Sequence, residues 1–292
     1  MYNGYRKDLR KVIIIRFRGG LGNQIFQYAL YKQLSCSGKE VKADLTFYVN
    51  NVDMNRCFQL PNMGLKVKTA NIKEIEKFYG AESGYMNIIL RKIGLKRHYL
   101  REKPYKIVRD IFKYDNIYLD GYWQSEYYFQ NIKKKLFEEI NWNIKSRRVM
   151  YYVNLIKNSI SVSIHIRRGD YLNNSIYNNI CTVDYYKNAI QYMKKVVEGI
   201  TFYIFSDDIE WTKKTFCGIE YVFIEGSDNN NCFEDLYLMS LCQYNIIANS
   251  SFSWWAAYLN ININKIVIAP DKWVNIRNIE GLWCEDWIRL KG

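Results

Sequence analysis

The fold class follows from one stretch of the chain, Ser161-Val-Ser-Ile-His-Ile-Arg-Arg-Gly-Asp170. Its apolar part, residues 162–166, predicts a buried strand that runs directly into two arginines, a glycine and an aspartate. Guanidinium groups present a fixed fork of donors that matches a phosphate. Open α/β sheets bind ligands at the carboxyl ends of their strands. An arginine pair by itself is more often an ordinary surface feature. The other motifs of the chain make a ligand site the favoured interpretation here.

The C-terminal half around this stretch alternates strand-like and helix-like segments. Such alternation predicts a parallel, doubly wound α/β sheet. The predicted strands are 162–166, 202–205, 221–224, 245–248 and 265–269, and the predicted helices are 183–197, 209–216, 234–241 and 252–259.

The N-terminal part repeats the strand–loop–helix pattern. Residues 12–15 predict a buried strand, Arg18-Gly-Gly-Leu-Gly-Asn23 a tight loop, and residues 24–34 a helix. This arrangement exposes backbone N–H groups to an anion. The glycine spacing differs from GxGxxG and no Walker lysine follows, so a plain tight turn is equally compatible. Residues 50–109 show no clear period, and we expect short helices and loops there.

Composition narrows the possible partners. The chain has 292 residues, 49% of them hydrophobic, which is enough for a sizeable core. Its formal net charge of +13 favours anionic partners such as nucleotides, nucleic acid or an acidic membrane surface. No segment reaches the roughly 18 apolar residues that span a bilayer. The N-terminus is polar and basic, so we expect a cytoplasmic protein without a signal peptide.

Metal sites and disulfides are not indicated. The seven cysteines are scattered and form no CxxC pair, and there are only two histidines. The basic residues are spread along the chain and no RNA-binding signature is present, so nucleic acid is a remote alternative. Peripheral contact with the inner face of the membrane is another possibility, although solvated helix faces explain the basic residues equally well. Its candidate residues are Lys133, Lys134, Lys135, Arg91, Lys96, Arg97 and Arg101.

Five motifs occur in a family-specific order. They are Arg18-Gly-Gly-Leu-Gly-Asn-Gln-Ile-Phe-Gln-Tyr-Ala29, Gly121-Tyr-Trp-Gln-Ser-Glu126, His165-Ile-Arg-Arg-Gly-Asp-Tyr171, Ile204-Phe-Ser-Asp-Asp208 and Asn249-Ser-Ser-Phe-Ser-Trp-Trp255. In this order the chain resembles bacterial α-1,2-fucosyltransferases of glycosyltransferase family 11, from about residue 12 to Trp287. The arginine motif is also similar to that of α-1,6- and protein O-fucosyltransferases, which implies a GDP-fucose donor.

The resemblance implies a GT-B-like fold, with two Rossmann-like domains facing across a cleft. Residues 1–148 would form the acceptor-side domain and residues 149–292 the GDP-fucose-binding domain, with a last helix packing back on the first. The implied reaction moves L-fucose from GDP-β-L-fucose to the 2-hydroxyl of a galactoside, with inversion, without a cofactor or metal. The acceptor would be a galactose-terminated surface glycan such as an O-antigen, either free or linked to a lipid. Use of another GDP-sugar or another linkage is the alternative.

The resemblance also implies the donor-binding residues. One of the two arginines would contact the β-phosphate, and we expect it to be Arg168. His165 would lie by the ribose or guanine, and Asp235 would read guanine, although a first-turn helix acid explains Asp235 nearly as well. Helix capping explains Ser250 and Ser251 as well as phosphate contact does. The implied donor-binding set is Arg167, Arg168, His165, Asp235, Ser250, Ser251, Asn23 and Gly22.

The remaining expectations concern the chemistry and the acceptor. An inverting displacement is assisted by a carboxylate that takes the acceptor proton, and Asp170 and Glu126 are the candidates. Asp170 is at least as compatible with an ion pair to Arg168 or with a backbone turn, and Glu126 with a surface position after a strand. Asp207 and Asp208 are expected to cap a helix rather than bind a metal. Relatives usually carry a His-Gly pair where this chain has residues 177–181, a loop that we expect to face the acceptor.

Overall fold

The first of two parallel sheets lies in the N-terminal half. The computed structural model describes residues 11–50, 56–79, 89, 98–218, 220–227 and 231–292. The sheet has the order β2-β1-β4-β3, and every neighbouring pair is parallel. Its strands are β1 (Ile13–Arg16), β2 (Val41–Asp44), β3 (Tyr99–Arg101) and β4 (Ile117–Asp120).

The second sheet lies in the C-terminal half and has six parallel strands in the order β10-β9-β8-β5-β6-β7. The strand predicted at residues 162–166, β5, lies between β8 and β6, which both follow it along the chain. The strands are β5 (Ile160–Ile166), β6 (Ile200–Ser206), β7 (Tyr221–Phe223), β8 (Tyr244–Ile246), β9 (Val267–Pro270) and β10 (Ile288–Leu290).

Helices connect the strands of both sheets. They are α1 (Leu21–Cys36), α2 (Thr46–Asn50), α3 (Ile72–Tyr79), α4 (Lys133–Glu139), α5 (Arg147–Lys157), α6 (Val183–Val196), α7 (Ile209–Thr215), α8 (Cys232–Leu241) and α9 (Ser251–Leu259). Short 3₁₀ helices include Leu60–Met63, Ile111–Lys113, Glu126–Tyr128, Gln130–Ile132 and Gly169–Tyr171. The predicted C-terminal elements and the predicted N-terminal strand and helix are thus confirmed, although α1 begins at Leu21 and takes up the second half of the predicted loop. The division at residues 148 and 149 falls within α5 and stays a prediction.

Two helices from different halves pack directly against each other. The ring of Phe26 on α1 lies 4.6 Å from that of Trp254 and 4.9 Å from that of Trp255, both on α9. All three side chains are essentially fully buried in an apolar cluster that draws on both halves. This packing holds the start of α1 against the start of α9, and therefore positions the cleft between the sheets.

The last helix of the described chain is α9, and it is the one that packs against α1 in the first half. Residues 271–287 beyond it are irregular and lead into β10. Asn278 and Gly281 have φ values of 61° and 66°, in the left-handed region that a right-handed helix excludes. The segment still reaches the first half, because Glu280 pairs with Lys106 at 2.9 Å.

No helix in the described part of the chain combines the length and apolar character needed to cross a bilayer. Of the basic residues considered for membrane contact, Arg91, Lys96 and Arg97 lie outside the described residues.

Candidate active site

Two helix N-termini meet at the cleft between the sheets. Helix α1 begins just after β1, and α9 begins shortly after β8, where the Ser250 hydroxyl caps the helix by accepting from the Phe252 N–H at 3.3 Å. A side-chain carbon on Gly22 would lie 2.4 to 2.6 Å from backbone atoms of Ser251 and Phe252. Only glycine permits this approach. The positive ends of both helix dipoles are therefore directed at one location, which suits an anion.

The cleft has a volume of about 680 Å³, within the range of about 300–1,000 Å³ typical of ligand pockets. It is lined by the loop before α1, by the ends of β5 and β6, and by the starts of α8 and α9. The structure brings most of the implied site residues into its wall: Gly22, Asn23, His165, Arg167, Asp170, Asp235, Ser250 and Ser251.

Arg167 is the arginine of the pair that faces the cleft. Its guanidinium lies 2.6 Å from an Asp170 oxygen and 3.0 Å from Asp207, and it stands over the ring of Tyr171 at 5.5 Å. The other Asp170 oxygen lies 3.7 Å from Arg56, which also lines the cleft. Sequence reasoning missed Arg56, because it sits in the region without a clear period.

Arg168 is directed elsewhere and does not line the cleft. Its guanidinium lies 3.7 Å above the centre of the Trp211 ring, and its Nε donates to Asp208 at 3.1 Å. Neighbouring residues on an extended chain alternate in direction, and here the strand end does not bring both side chains back to the same side. Arg167, and not the expected Arg168, is therefore the arginine that is placed to contact a phosphate in the cleft.

His165 is a buried, neutral group in the cleft wall. Its Nδ1 has no hydrogen-bond partner among the described residues, and its ring packs against Phe252 at 5.6 Å. Desolvation, reinforced by the positive charge of Arg167, lowers the pKa of His165 to about 3. The imidazole therefore has hydrogen-bonding capacity for a ligand without adding charge.

Asp235 lies in the first turn of α8 and also in the cleft wall. One of its oxygens is 2.9 Å from Arg148, and the other accepts from the backbone N–H and the hydroxyl of Ser227 at 3.2 and 3.1 Å. A carboxylate has about four lone-pair sites, so these contacts leave capacity for a further donor.

Asn23 faces the cleft from the opposite half. Its Oδ1 accepts from Gln124 Nε2 at 2.7 Å, which holds the side chain in place at the start of α1.

The two candidate bases occupy different places. Asp170 lines the cleft but is engaged by Arg167, not by Arg168, the partner expected in the ion-pair alternative. Glu126 is outside the cleft wall, where it accepts from the Tyr258 hydroxyl at 2.7 Å and lies 3.7 Å from Lys133. Of the two carboxylates, Asp170 borders the cleft and Glu126 does not, and the catalytic role of either stays a prediction.

Asp207 and Asp208 are held by protein partners. The Asp207 carboxylate accepts from the backbone N–H of Arg168 at 2.9 Å in addition to its contact with Arg167. Asp208 caps α7 by accepting from the Trp211 N–H at 3.2 Å, so the expected capping role is confirmed.

Comparison with known proteins agrees with this geometry. The family model described as Glycosyl transferase family 11 matches residues 12–291. An Escherichia coli alpha-1,2-colitosyltransferase is 33% identical, covering 96% of this chain and 99% of the relative. The Escherichia coli O-antigen biosynthesis glycosyltransferase WbnK is 31% identical, covering 93% and 98%.

The fold has a counterpart among solved structures. A mutant of Arabidopsis thaliana FUT1 in complex with GDP is similar with a TM-score of 0.50 and 14% identity, over 90% of this chain and 71% of that one. This likeness supports the two-sheet GT-B-like fold. With the family match over nearly the whole length and two relatives above 30% identity, the chain belongs to glycosyl transferase family 11.

Proposed function

We propose that this glycosyltransferase moves L-fucose from GDP-β-L-fucose to the 2-hydroxyl of a galactoside, forming an α-1,2 linkage with inversion. The observation that carries the proposal is the convergence of the Arg167 guanidinium with the N-termini of α1 and α9 on one cleft. A diphosphate is the anion that such an arrangement fits.

The chemistry that the cleft would perform is a displacement at the fucosyl anomeric carbon. The bond from this carbon to the β-phosphate oxygen breaks, and GDP leaves with the electron pair. Negative charge grows on the leaving group, so fixed donors aimed at it stabilise the transition state more than the ground state. Arg167 and the backbone N–H groups at Gly22 and Ser251 would act in this way.

The remaining cleft residues would hold the nucleotide. Asp235 would accept from the N1–H and amino group of guanine, and neutral His165 would hydrogen-bond to the ribose or base. Asn23 and Ser250 would complete the cradle at the diphosphate. These roles follow the family resemblance and agree with the positions of the side chains in the cleft wall.

A metal-independent reaction is part of the proposal. Arg167 and the helix N-termini supply positive charge where other transferases place a cation, and guanidinium groups or helix N–H donors already hold Asp207 and Asp208. We expect activity to survive excess EDTA. Loss of activity with EDTA and its recovery with Mg²⁺ or Mn²⁺ would contradict this part.

A related donor is the second candidate. The relative named as an alpha-1,2-colitosyltransferase is 33% identical over nearly the whole chain. Colitose is the 3-deoxy form of fucose, so a donor pocket that makes no hydrogen bond to the 3-hydroxyl would accept both sugars.

A donor panel tests the proposal. The purified protein is given GDP-fucose, GDP-colitose or GDP-mannose with lactose or another β-galactoside, and the linkage is read by NMR. We expect an α-1,2-fucosyl product. Transfer from GDP-colitose alone would favour the second candidate, and turnover of a different GDP-sugar alone would refute both. Lipid-linked glycans in the same assay test whether the acceptor is an O-antigen precursor made at the membrane.

A further inference from the structure

A second pocket of about 180 Å³ opens beside the cleft. Its walls come from both halves of the chain, because Glu102 and Gln124 belong to the first half whereas Tyr177 and Ile276 belong to the second. Four tyrosine rings dominate the lining: Tyr105, Tyr122, Tyr128 and Tyr177.

The pocket and the cleft share a wall. Gln124 in the pocket donates to Asn23 in the cleft at 2.7 Å. On the other side, the ring of Tyr177 in the pocket stacks on that of Tyr171 in the cleft, with centres 4.8 Å apart and planes inclined by 20°. A ligand in the pocket would therefore adjoin a donor lying in the cleft.

Fixed contacts across the two halves shape this pocket. Lys106 and Glu280 pair at 2.9 Å, and the backbone N–H of Glu280 donates to the Tyr105 carbonyl at 3.0 Å. The backbone N–H of Asn275 donates to the Ile176 carbonyl at 2.8 Å, which secures the loop that leads into residues 177–181. The loop that departs from the family pattern thus contributes Tyr177 to the pocket wall.

Two carboxylates line the pocket, Glu102 and the Glu280 that pairs with Lys106, and the position of Glu102 is tightly defined. Its Oε2 accepts from the backbone N–H groups of Tyr122 at 2.7 Å and Trp123 at 3.0 Å. A side-chain carbon on Gly121 would lie 2.6 Å from the same oxygen, so a glycine is needed for the carboxylate to lie there.

The surroundings of Glu102 make it a stronger base than an ordinary glutamate. Desolvation raises the pKa of Glu102 to about 7, while its two N–H donors and Arg18 act in the opposite direction and Asp120 adds to the rise. The other charged groups of the pocket lining are Arg101, Lys106 and Glu280. A carboxylate with such a pKa is half-deprotonated at neutral pH, which is the condition that favours general base catalysis.

Aromatic faces with a few polar groups suit one class of ligand. A pyranose ring has apolar C–H patches that pack on aromatic rings, and hydroxyls that bond to side chains such as Gln124 and Arg18. We propose that this aromatic pocket holds the terminal sugar of the acceptor, and that Glu102 accepts the proton of its attacking hydroxyl. The inference rests on the proposed function and extends it to the acceptor side.

The step balances in atoms and charge. The acceptor oxygen forms a bond to the anomeric carbon of the donor sugar as the bond from that carbon to the β-phosphate oxygen breaks. The hydroxyl proton passes to the Glu102 carboxylate, and GDP leaves with the electron pair. Glu102 then releases this proton to solvent and returns to its anionic form.

The first experiment replaces Glu102 by glutamine, which keeps an oxygen for the N–H groups of Tyr122 and Trp123. Removing a general base typically costs about 10²–10⁴-fold in rate, and we expect kcat of E102Q to fall by that amount. The affinity for GDP, measured by calorimetry, should stay within about twofold. The wild-type rate should rise with pH to a plateau, with a midpoint near the pKa of about 7, and E102Q should lack this limb.

Glu139→Gln is the matched control. Glu139 accepts from the Tyr28 hydroxyl at 3.0 Å and lines neither the pocket nor the cleft. Its variant should keep the wild-type kcat and pH profile. A turnover of E102Q within about threefold of wild type would overturn the role of Glu102, as would a raised acceptor KM at unchanged kcat.

The second experiment fills the pocket. Ile276 is 45% exposed and lines the pocket, so Ile276→Trp adds bulk there without disturbing the core. We expect at least a tenfold rise in the acceptor KM, with unchanged GDP affinity. An unchanged acceptor KM would overturn the placement of the acceptor.

If wild-type protein transfers no sugar from any GDP-sugar, the proposed function fails and this inference with it. If wild type is active and both variants behave like it, only this inference fails.

Discussion

The cleft and the aromatic pocket adjoin each other but offer their ligands different kinds of interaction. The cleft is walled by a neutral histidine, and by Arg167 and two helix N-termini that face the place where an anion would lie. The pocket is walled by tyrosine rings around a glutamate whose pKa is raised to about 7. Fixed positive charge suits the diphosphate that every GDP-sugar donor carries. Aromatic rings suit the apolar C–H faces of a sugar acceptor.

The two neighbouring arginines also differ, because one faces the cleft and the other packs against the protein. Arg167 faces the cleft, where its carboxylate partners leave the guanidinium next to open volume. Arg168 is stacked on Trp211 and paired with Asp208, which stabilises the start of α7. One arginine of the motif is thus available to a ligand, and the other joins β5 to its neighbouring helix.

The largest effect is expected for Arg167→Lys. Lysine keeps the charge but loses the planar fork, so stabilisation of the leaving diphosphate should fall by roughly 2–4 kcal/mol, seen in kcat. The acceptor KM should stay unchanged. Arg168→Lys should keep turnover within a few fold and lower the thermal midpoint slightly, through loss of the Trp211 contact. Steady-state kinetics and calorimetry check both. A larger loss of kcat in the Arg168 variant would reverse the assignment.

Glycine replacements in the loop before α1 should give the next effect. Gly22→Ala would place a carbon 2.4 to 2.6 Å from the backbone of Ser251 and Phe252, and we expect a destabilisation of about 1–3 kcal/mol with weaker GDP binding. Gly20→Ala is the control, because it meets no atom within 4 Å and Gly20 has an ordinary φ of −75°. Chemical denaturation and GDP titration measure the difference. Equal behaviour of the two variants would contradict the close contact of the helix starts.

The smallest effect on stability at neutral pH is expected for His165→Gln. Its effect on stability should appear mainly at acidic pH. The unfolded chain binds a proton at His165 near pH 6.5, whereas the folded chain does so only near pH 3. Between these pH values the unfolded state binds more protons than the folded state. Titration of His165 should therefore lower the free energy of unfolding of the wild type by up to about 1.4 kcal/mol for each pH unit of acidification. The variant should lose that part of the slope in thermal melts from pH 7 to 4. An unchanged slope would show that His165 is not held neutral.

Local patterns were sufficient for six of the ten described strands, β1 and β5 to β9. Apolar runs such as residues 162–166, and the strand–loop–helix pattern that begins after β1, are governed by short-range periodicity and turn chemistry. The capping of α7 by Asp208 and of α9 by Ser250 was predictable for the same reason. Four strands of three or four residues were missed, because so short a run carries little periodicity: β2, β3, β4 and β10.

Three-dimensional packing was needed to determine which side chains face the ligand sites. Sequence order placed both arginines at the end of β5, but the contacts of Trp211 and Asp208 turned Arg168 away from the cleft. Glu102 had no sequence signal, since its role depends on the N–H groups of Tyr122 and Trp123 and on rings contributed from both halves. Secondary structure follows from interactions between near neighbours. Which side chains face a ligand, and with what pKa, follows from desolvation and charge contributed by residues distant along the chain.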